Sequence, residues 1–222
     1  MNMKFDAVLF DCDGVLVDSE RITIGVLRDM LADMGWEMTQ AQCMGHFVGH
    51  LVQAQSELIK RHTGQKIDDA WIAAFRVRRN LALNDSLKAI EHIHEALDAI
   101  TKQYGKKIAC ASGADRQKVV LQLTKTKLLH FFDSRIFSGV EMPKSKPAPD
   151  VYLAAAAALG SDPKRCAVIE DSPTGARAGV AAGCTVFAYC PDSPSHSTPE
   201  AMRAVGASYV FTSMAQLPAL LT

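Results

Sequence analysis

LFDCDGVLVDSE, residues 9–20, closes an apolar run with two aspartates one residue apart and a glycine directly after. Asp and Gly form turns, so a strand ending here would account for them. Two carboxylates at a strand end can also hold one cation and one phosphoryl group between them. Residues 6–11 read as a buried strand, which places Asp11 and Asp13 at its carboxyl end. The rest of the chain decides between a plain turn and a reacting site.

From about Ser19 to Gly35, Ile22, Val26, Leu27, Met30, Leu31 and Met34 recur at helical spacing. Helical patterns continue through residues 40–87, and no convincing strand interrupts them. After residue 88 the grammar alternates. SLKAIEHIHEALDAITKQYG predicts a helix stopped by Gly105, KKIACASG a strand running into a loop, and DRQKVVLQLTKTKL a helix. FDSRIFSG gives a short strand and PAPDVYLAAAAALG an Ala-rich helix stopped by Gly160. RCAVIED is a buried strand, SPTGARAGVAAG a helix and CTVFAYC a strand, before a tail of helix, strand and helix. Such alternation predicts an α/β fold: a Rossmann-like parallel sheet covered by helices on both faces, in three layers α/β/α. The first strand belongs to a sheet that otherwise begins after residue 88. Residues 18–87 are therefore expected to be an inserted α-helical cap domain, and residues 1–17 with 88–222 the core.

Among 222 residues, Lys plus Arg and Asp plus Glu are both 24, so no charge excess argues for nucleic acid or an anionic membrane as partner. No run of 18 apolar residues suggests a membrane span, and Asp6 interrupts the short apolar start, unlike a signal peptide. Six scattered cysteines, Cys12, Cys43, Cys110, Cys166, Cys184 and Cys190, form no CxxC pair and read as reduced, mostly core residues. A cytoplasmic protein, monomeric or weakly homo-oligomeric, is the expectation.

Four strand-end segments carry polar residues: FDCDG at 10–14, CASG at 110–113, SKPAPD at 145–150 and VIEDSPTG at 168–175. In an open parallel sheet, ligands bind beyond the carboxyl ends of the strands, so these distant segments can converge. Asp11, Asp13, Glu170 and Asp171 are hard oxygen donors, which favour Mg²⁺. Ser112 and the Gly113 N–H can hold phosphate oxygens, and Lys146 can neutralise charge. That set suits phosphoryl transfer. Each segment also has a plainer reading. Ser172-Pro173 suits a helix N-cap and first turn, Lys146 suits a loop, and Gly175, Gly179 and Gly183 suit a helix lying close on a sheet.

Taken in order, DCDGVLVDSE, CASG, KSKPAPD and VIEDSPTGARAG resemble the four motifs of the haloacid dehalogenase superfamily, over about residues 6 to 190. The insertion just after the first motif resembles the subgroup of β-phosphoglucomutase and sugar-phosphate phosphatases. The resemblance implies Asp11 as nucleophile through an aspartyl phosphate. It implies Asp13 as acid and base, with its carbonyl on the metal, Asp171 as a metal ligand, and Glu170 as a further one, direct or through water. Ser112 and Lys146 would hold phosphate. The mutases carry a histidine where this chain has Thr23, and an arginine where Val52 follows Gly49 by three; both departures favour a phosphatase. A phospho-acceptor signalling module, the reading from another class, has no use for Asp13 or for the long insertion.

Within the insertion, Cys43, His46 and His50 follow a C-x2-H-x3-H spacing, but a structural zinc needs a fourth ligand, and Gly45 and Gly49 suggest a loop or broken helix there. HFVGH resembles the substrate-facing cap segment of the sugar-phosphate enzymes, which makes His46 and His50 candidate substrate contacts. Arg76, Arg78 and Arg79 crowd a helix; such runs commonly mark a solvated face, and Arg79 is the one expected to reach an anionic substrate group.

Overall fold

The computed structural model describes residues 4–48, 50–193 and 196–222. The chain divides into two compact units: one takes the chain up to Asp18 and again Lys88–Thr222, the other is Ser19–Leu87.

The first unit is built on six parallel strands: β1 Ala7–Phe10, β2 Ile108–Ser112, β3 Ile136–Ser138, β4 Cys166–Glu170, β5 Thr185–Tyr189 and β6 Tyr209–Phe211. Their order across the sheet is β3-β2-β1-β4-β5-β6. Val8 pairs with Ile108 on one side and Ala167 on the other, so β1 is central. Every residue of β1, β2 and β4 is buried, as their uninterrupted apolar runs require of a sheet covered on both faces. Helices α5 Ile93–Tyr104, α6 Arg116–Lys125, α7 Leu129–Phe132, α8 Asp150–Ala158, α9 Pro173–Ala181 and α10 Pro199–Ala204 lie between the strands in the chain, and α11 Leu217–Leu220 follows β6. Small residues let α8 and α9 lie close: Ala155, Ala156, Ala176 and Ala178 share one core with Leu9, Val168 and Val186.

Gly179 lies where α9 meets the sheet. A Cβ there would stand 2.8 Å from Val186 Cγ2 and 3.1 Å from Val168 Cγ1. Gly179→Ala is expected to destabilise the protein by about 1–3 kcal/mol through overpacking, read from the urea midpoint. Gly183 has a different use: its φ of +84° turns the chain out of α9 toward β5.

The helix expected over 86–104 begins later than its composition suggests. Asp18 N donates to Lys88 O and Ile90 N to Leu16 O, and Val17 bridges Ala89 in antiparallel fashion. The returning chain pairs with the outgoing one, so its first residues are extended. His92 then turns through a φ of 62° and α5 starts at Ile93.

The second unit is all helical: α1 Glu20–Ala32, α2 Gln40–Phe47, α3 Ser56–Thr63 and α4 Asp69–Ser86. Its own core gathers Ile24, Leu27, Met30, Leu31, Cys43, Phe47, Ile59, Ile72 and Phe75. A capping box at Thr39 and Gln42 starts α2, and the Asp68 side chain caps α4. The helix runs unbroken through Gly45 and stops at Phe47, which corrects the loop expected at Gly45; Gly49 lies outside the described residues. Among the described residues, no helix is long and apolar enough to cross a membrane.

Candidate active site

Strand register brings the acidic segments together. Phe10 pairs with Ile169, and Asp11 N donates to Ile169 O at 3.0 Å, so Asp11 and Glu170 leave neighbouring strands side by side. β2 ends on the other flank of β1 at Ser112. One carboxylate oxygen from each of Asp11, Glu170 and Asp171 lies within 4.8 Å of the others, and all three residues are buried.

Lys146 arrives from the segment between β3 and α8. Its ammonium donates to Asp11 Oδ1 at 2.7 Å, to Glu170 Oε1 at 2.7 Å and to the Tyr152 hydroxyl at 2.9 Å. Tyr152 donates to the same Glu170 oxygen at 2.6 Å. The other oxygen of Glu170 accepts from the Asp171 and Ser172 amides and from Ser172 Oγ, at 3.1–3.4 Å. Ser172 Oγ also accepts from Gly175 N and caps α9, with Pro173 in the first turn. The capping read from Ser172-Pro173 and the acidic cluster therefore coexist.

Two glycines let these carboxylates sit where they do. Gly14 holds a φ of +79°, and a Cβ there would overlap the Asp171 carboxylate. A Cβ on Gly175 would overlap Glu170 Oε1. Gly175 thus makes room for a carboxylate, where its spacing had suggested packing on the sheet alone.

Burial dominates the electrostatics. It pushes the Asp11 carboxyl up to about 7; Lys146 pulls it down, and Glu170 and Asp13 push it further up. Burial works against the Lys146 charge, but Asp11 and Glu170 outweigh it and raise that group, so Lys146 stays an ammonium. Three carboxylates share the pocket with one ammonium, an excess of acidic groups. The oxygen donors of Asp11, Glu170 and Asp171 fit a hard divalent cation such as Mg²⁺.

Ser112 is buried, and its Oγ accepts from Ala114 N at 3.0 Å. A Cβ on Gly113 would stand 4.0 Å from Lys146 Cδ, so the Ser112–Gly113 turn runs along the lysine stem. Asp13 stands apart from the acidic trio. Its Oδ1 accepts from Lys118 Nζ at 2.7 Å and from Gln122 Nε2 at 2.7 Å. Sequence reasoning named neither donor, nor Tyr152, nor His196, whose Nε2 lies 3.1 Å from Gly14 O. The available signal was a pair of polar residues four apart on the buried side of α6, beside Val119 and Leu123.

The helical unit holds the remaining candidates. His46 is exposed and its ring sits 5.5 Å from Trp36, which stacks on His62 at 4.1 Å. His50 is exposed. Cys43 is buried, with Sγ toward Ile24 O, so it and His46 occupy different environments. The arginine run divides: Arg76 and Arg78 are exposed, whereas Arg79 is buried, with its guanidinium on Asn80 Oδ1 at 2.9 and 3.0 Å.

Comparison with known proteins matches residues 5–183 to the family described as haloacid dehalogenase-like hydrolase. The chain belongs to that family. As a haloacid dehalogenase-like hydrolase it is 29% identical over 218 residues to 6-phosphogluconate phosphatase of Escherichia coli (strain K12), spanning 98% of this chain and 95% of that protein. It is 29% identical over 178 residues to hexitol phosphatase B of the same organism, covering 79% of each. A HAD family hydrolase of Deinococcus radiodurans R1, crystallised with bound phosphate and sodium, superposes with a TM-score of 0.78 at 33% identity, covering 100% of this hydrolase and 99% of that one.

Proposed function

We propose that this hydrolase of phosphoric monoesters acts on a small phosphorylated metabolite, a sugar phosphate or sugar-acid phosphate, through an aspartyl phosphate on Asp11. The observation that carries the reading is Lys146 Nζ, 2.7 Å from both Asp11 and Glu170, inside the cluster completed by Asp171. The names of the two Escherichia coli relatives support the substrate class.

An Asp11 carboxylate oxygen attacks phosphorus in line, and the bond from phosphorus to the leaving oxygen breaks. Asp13 gives that oxygen its proton. Asp13, now ionised, takes a proton from water as the water oxygen attacks the aspartyl phosphate, and the Asp11 carboxylate leaves. Phosphate is released and both groups are restored. Lys146, Ser112 Oγ and the Gly113 N–H hold the phosphoryl oxygens, the lysine balancing their charge. When bound, Mg²⁺ supplies two positive charges against the nucleophile and the phosphoryl group. The carbonyl of Asp13 is a further assigned ligand. Selection among metabolites is assigned to the helical unit as a cap, with His46, His50 and Arg79 as candidate contacts. Six free and buried cysteines support a reducing, cytoplasmic setting.

The test is phosphate release from phosphorylated sugars, sugar acids, hexitols and nucleotides, with Mg²⁺ or with a chelator. Release is expected from the sugar and sugar-acid esters, with a loss of about 10²-fold or more in chelator, reversed by Mg²⁺. Full activity in chelator would remove the metal assignment. Isomerisation of a glucose 1-phosphate without free phosphate would make the enzyme a mutase.

A further inference from the structure

We infer that Lys118 and Gln122 are positioning residues that fix the orientation of Asp13 and so set how well it protonates the leaving group; this rests on the acid role proposed for Asp13. Lys118 and Gln122 lie one turn apart on α6, and both donate to the same oxygen, Asp13 Oδ1, at 2.7 Å. Gln122 is fully buried, and Lys118 is 7% exposed. Burying an ammonium and an amide is costly unless each meets a partner, and here both meet Asp13.

The orientation of the Gln122 amide follows from its other end. Its Oε1 accepts from Cys12 Sγ at 3.5 Å, which leaves Nε2 facing Asp13. The first turn of α6 is fixed in turn: Asp115 caps the helix by accepting from Lys118 N at 2.9 Å, directly after the Ser112–Gly113 turn. The helix that begins at the phosphate-binding turn therefore holds the acid as well, with donors more than a hundred residues away in sequence from Asp13.

Two N–H donors on Oδ1 have a chemical consequence. The two donors fill the accepting positions of Oδ1, which fixes the carboxyl rotamer and assigns the proton exchange proposed for Asp13 to Oδ2. The pair thereby selects the oxygen that delivers the proton and the rotamer from which it does so. Loss of either donor frees the carboxyl group to rotate and lets Oδ1 compete for the proton.

Leaving-group dependence tests this. An alkyl phosphate needs its leaving oxygen protonated, whereas p-nitrophenyl phosphate expels a stable anion and needs little help. The value of kcat/KM, which covers the steps up to phosphoryl transfer to Asp11, is measured for a hexose 6-phosphate and for p-nitrophenyl phosphate in wild type, Asp13→Ala, Lys118→Met and Gln122→Met. Asp13→Ala is expected to lower the alkyl-to-aryl ratio by about 10²-fold or more. Lys118→Met and Gln122→Met are each expected to lower it about tenfold, a change that a general loss of structure does not produce. Circular dichroism and melting establish that each variant is folded. If Gln122→Met does not fold, Lys118→Met decides, because methionine keeps the buried stem and removes the ammonium. An unchanged ratio in the folded variants, beside a lowered ratio in Asp13→Ala, overturns this inference and leaves the acid role standing. An unchanged ratio in Asp13→Ala overturns the acid role and the inference with it.

Discussion

Asp11→Asn is expected to lower kcat by about 10⁴-fold or more while the protein stays folded. Asparagine keeps the shape of the side chain and an oxygen for the Lys146 ammonium, which lies 2.7 Å from Asp11 Oδ1. It lacks the carboxylate proposed as the nucleophile, and an amide does not form the acyl phosphate. The substitution also removes a charge that burial disfavours, in a pocket where Glu170 and Asp13 already repel it. The melting temperature is therefore expected to hold or rise. Phosphate release beside a thermal melt separates the two effects. Turnover near wild type in a folded Asp11→Asn protein would remove Asp11 as nucleophile.

Gly175→Ala is expected to cost about 3–5 kcal/mol of stability and about 10²-fold in kcat. Alanine is ordinarily the better helix residue, and Gly175 lies in the first turn of α9, so propensity predicts the opposite sign. Packing reverses it, because the new Cβ would occupy the position of Glu170 Oε1. That carboxylate is fully buried and accepts from Lys146 and Tyr152 through one oxygen and from Ser172 and two backbone amides through the other. Pushing it aside separates a buried ion pair, and a displacement near 1 Å at a reacting centre is felt in the rate. Gly45→Ala is the control. Gly45 is exposed in the interior of α2 with nothing within 4 Å of its absent Cβ, so alanine there is expected to stabilise by about 0.5–1 kcal/mol. Urea unfolding of both variants, with kcat for Gly175→Ala, checks the contrast. A Gly175→Ala protein as stable and active as wild type would show that Glu170 has room to move.

Site residues read from the sequence fall into two groups. Asp11, Asp13, Ser112, Gly113, Glu170 and Asp171 were legible as candidates because each sits at or just after a strand end whose turn chemistry is local, and Lys146 because its segment follows a further strand. The structure gathers Asp11, Glu170, Asp171 and Lys146 into one buried cluster and lays the Ser112–Gly113 turn along Lys146. Lys118, Gln122 and Tyr152 were not legible, because a helix pattern records which face is buried and not what waits there. Tyr152 reads as one more apolar residue of an Ala-rich helix until its hydroxyl meets Glu170. Arg79 shared its neighbours' charge, and its burial separates it from them.

By itself the sequence determined the alternation of strands and helices, the parallel sheet and the order of the acidic and basic motifs, because periodicity and turn residues act over a few positions. Only the tertiary structure decided where α5 begins, since Lys88 and Ile90 give their backbone groups to Asp18 and Leu16 instead of to a helix. It alone decided that Gly175 faces a carboxylate while Gly179 faces valines. It also brought Lys118 and Gln122 to Asp13. Hydrogen bonds between segments as distant as Asp13 and Gln122 depend on where strand register places them, and a local pattern does not encode that.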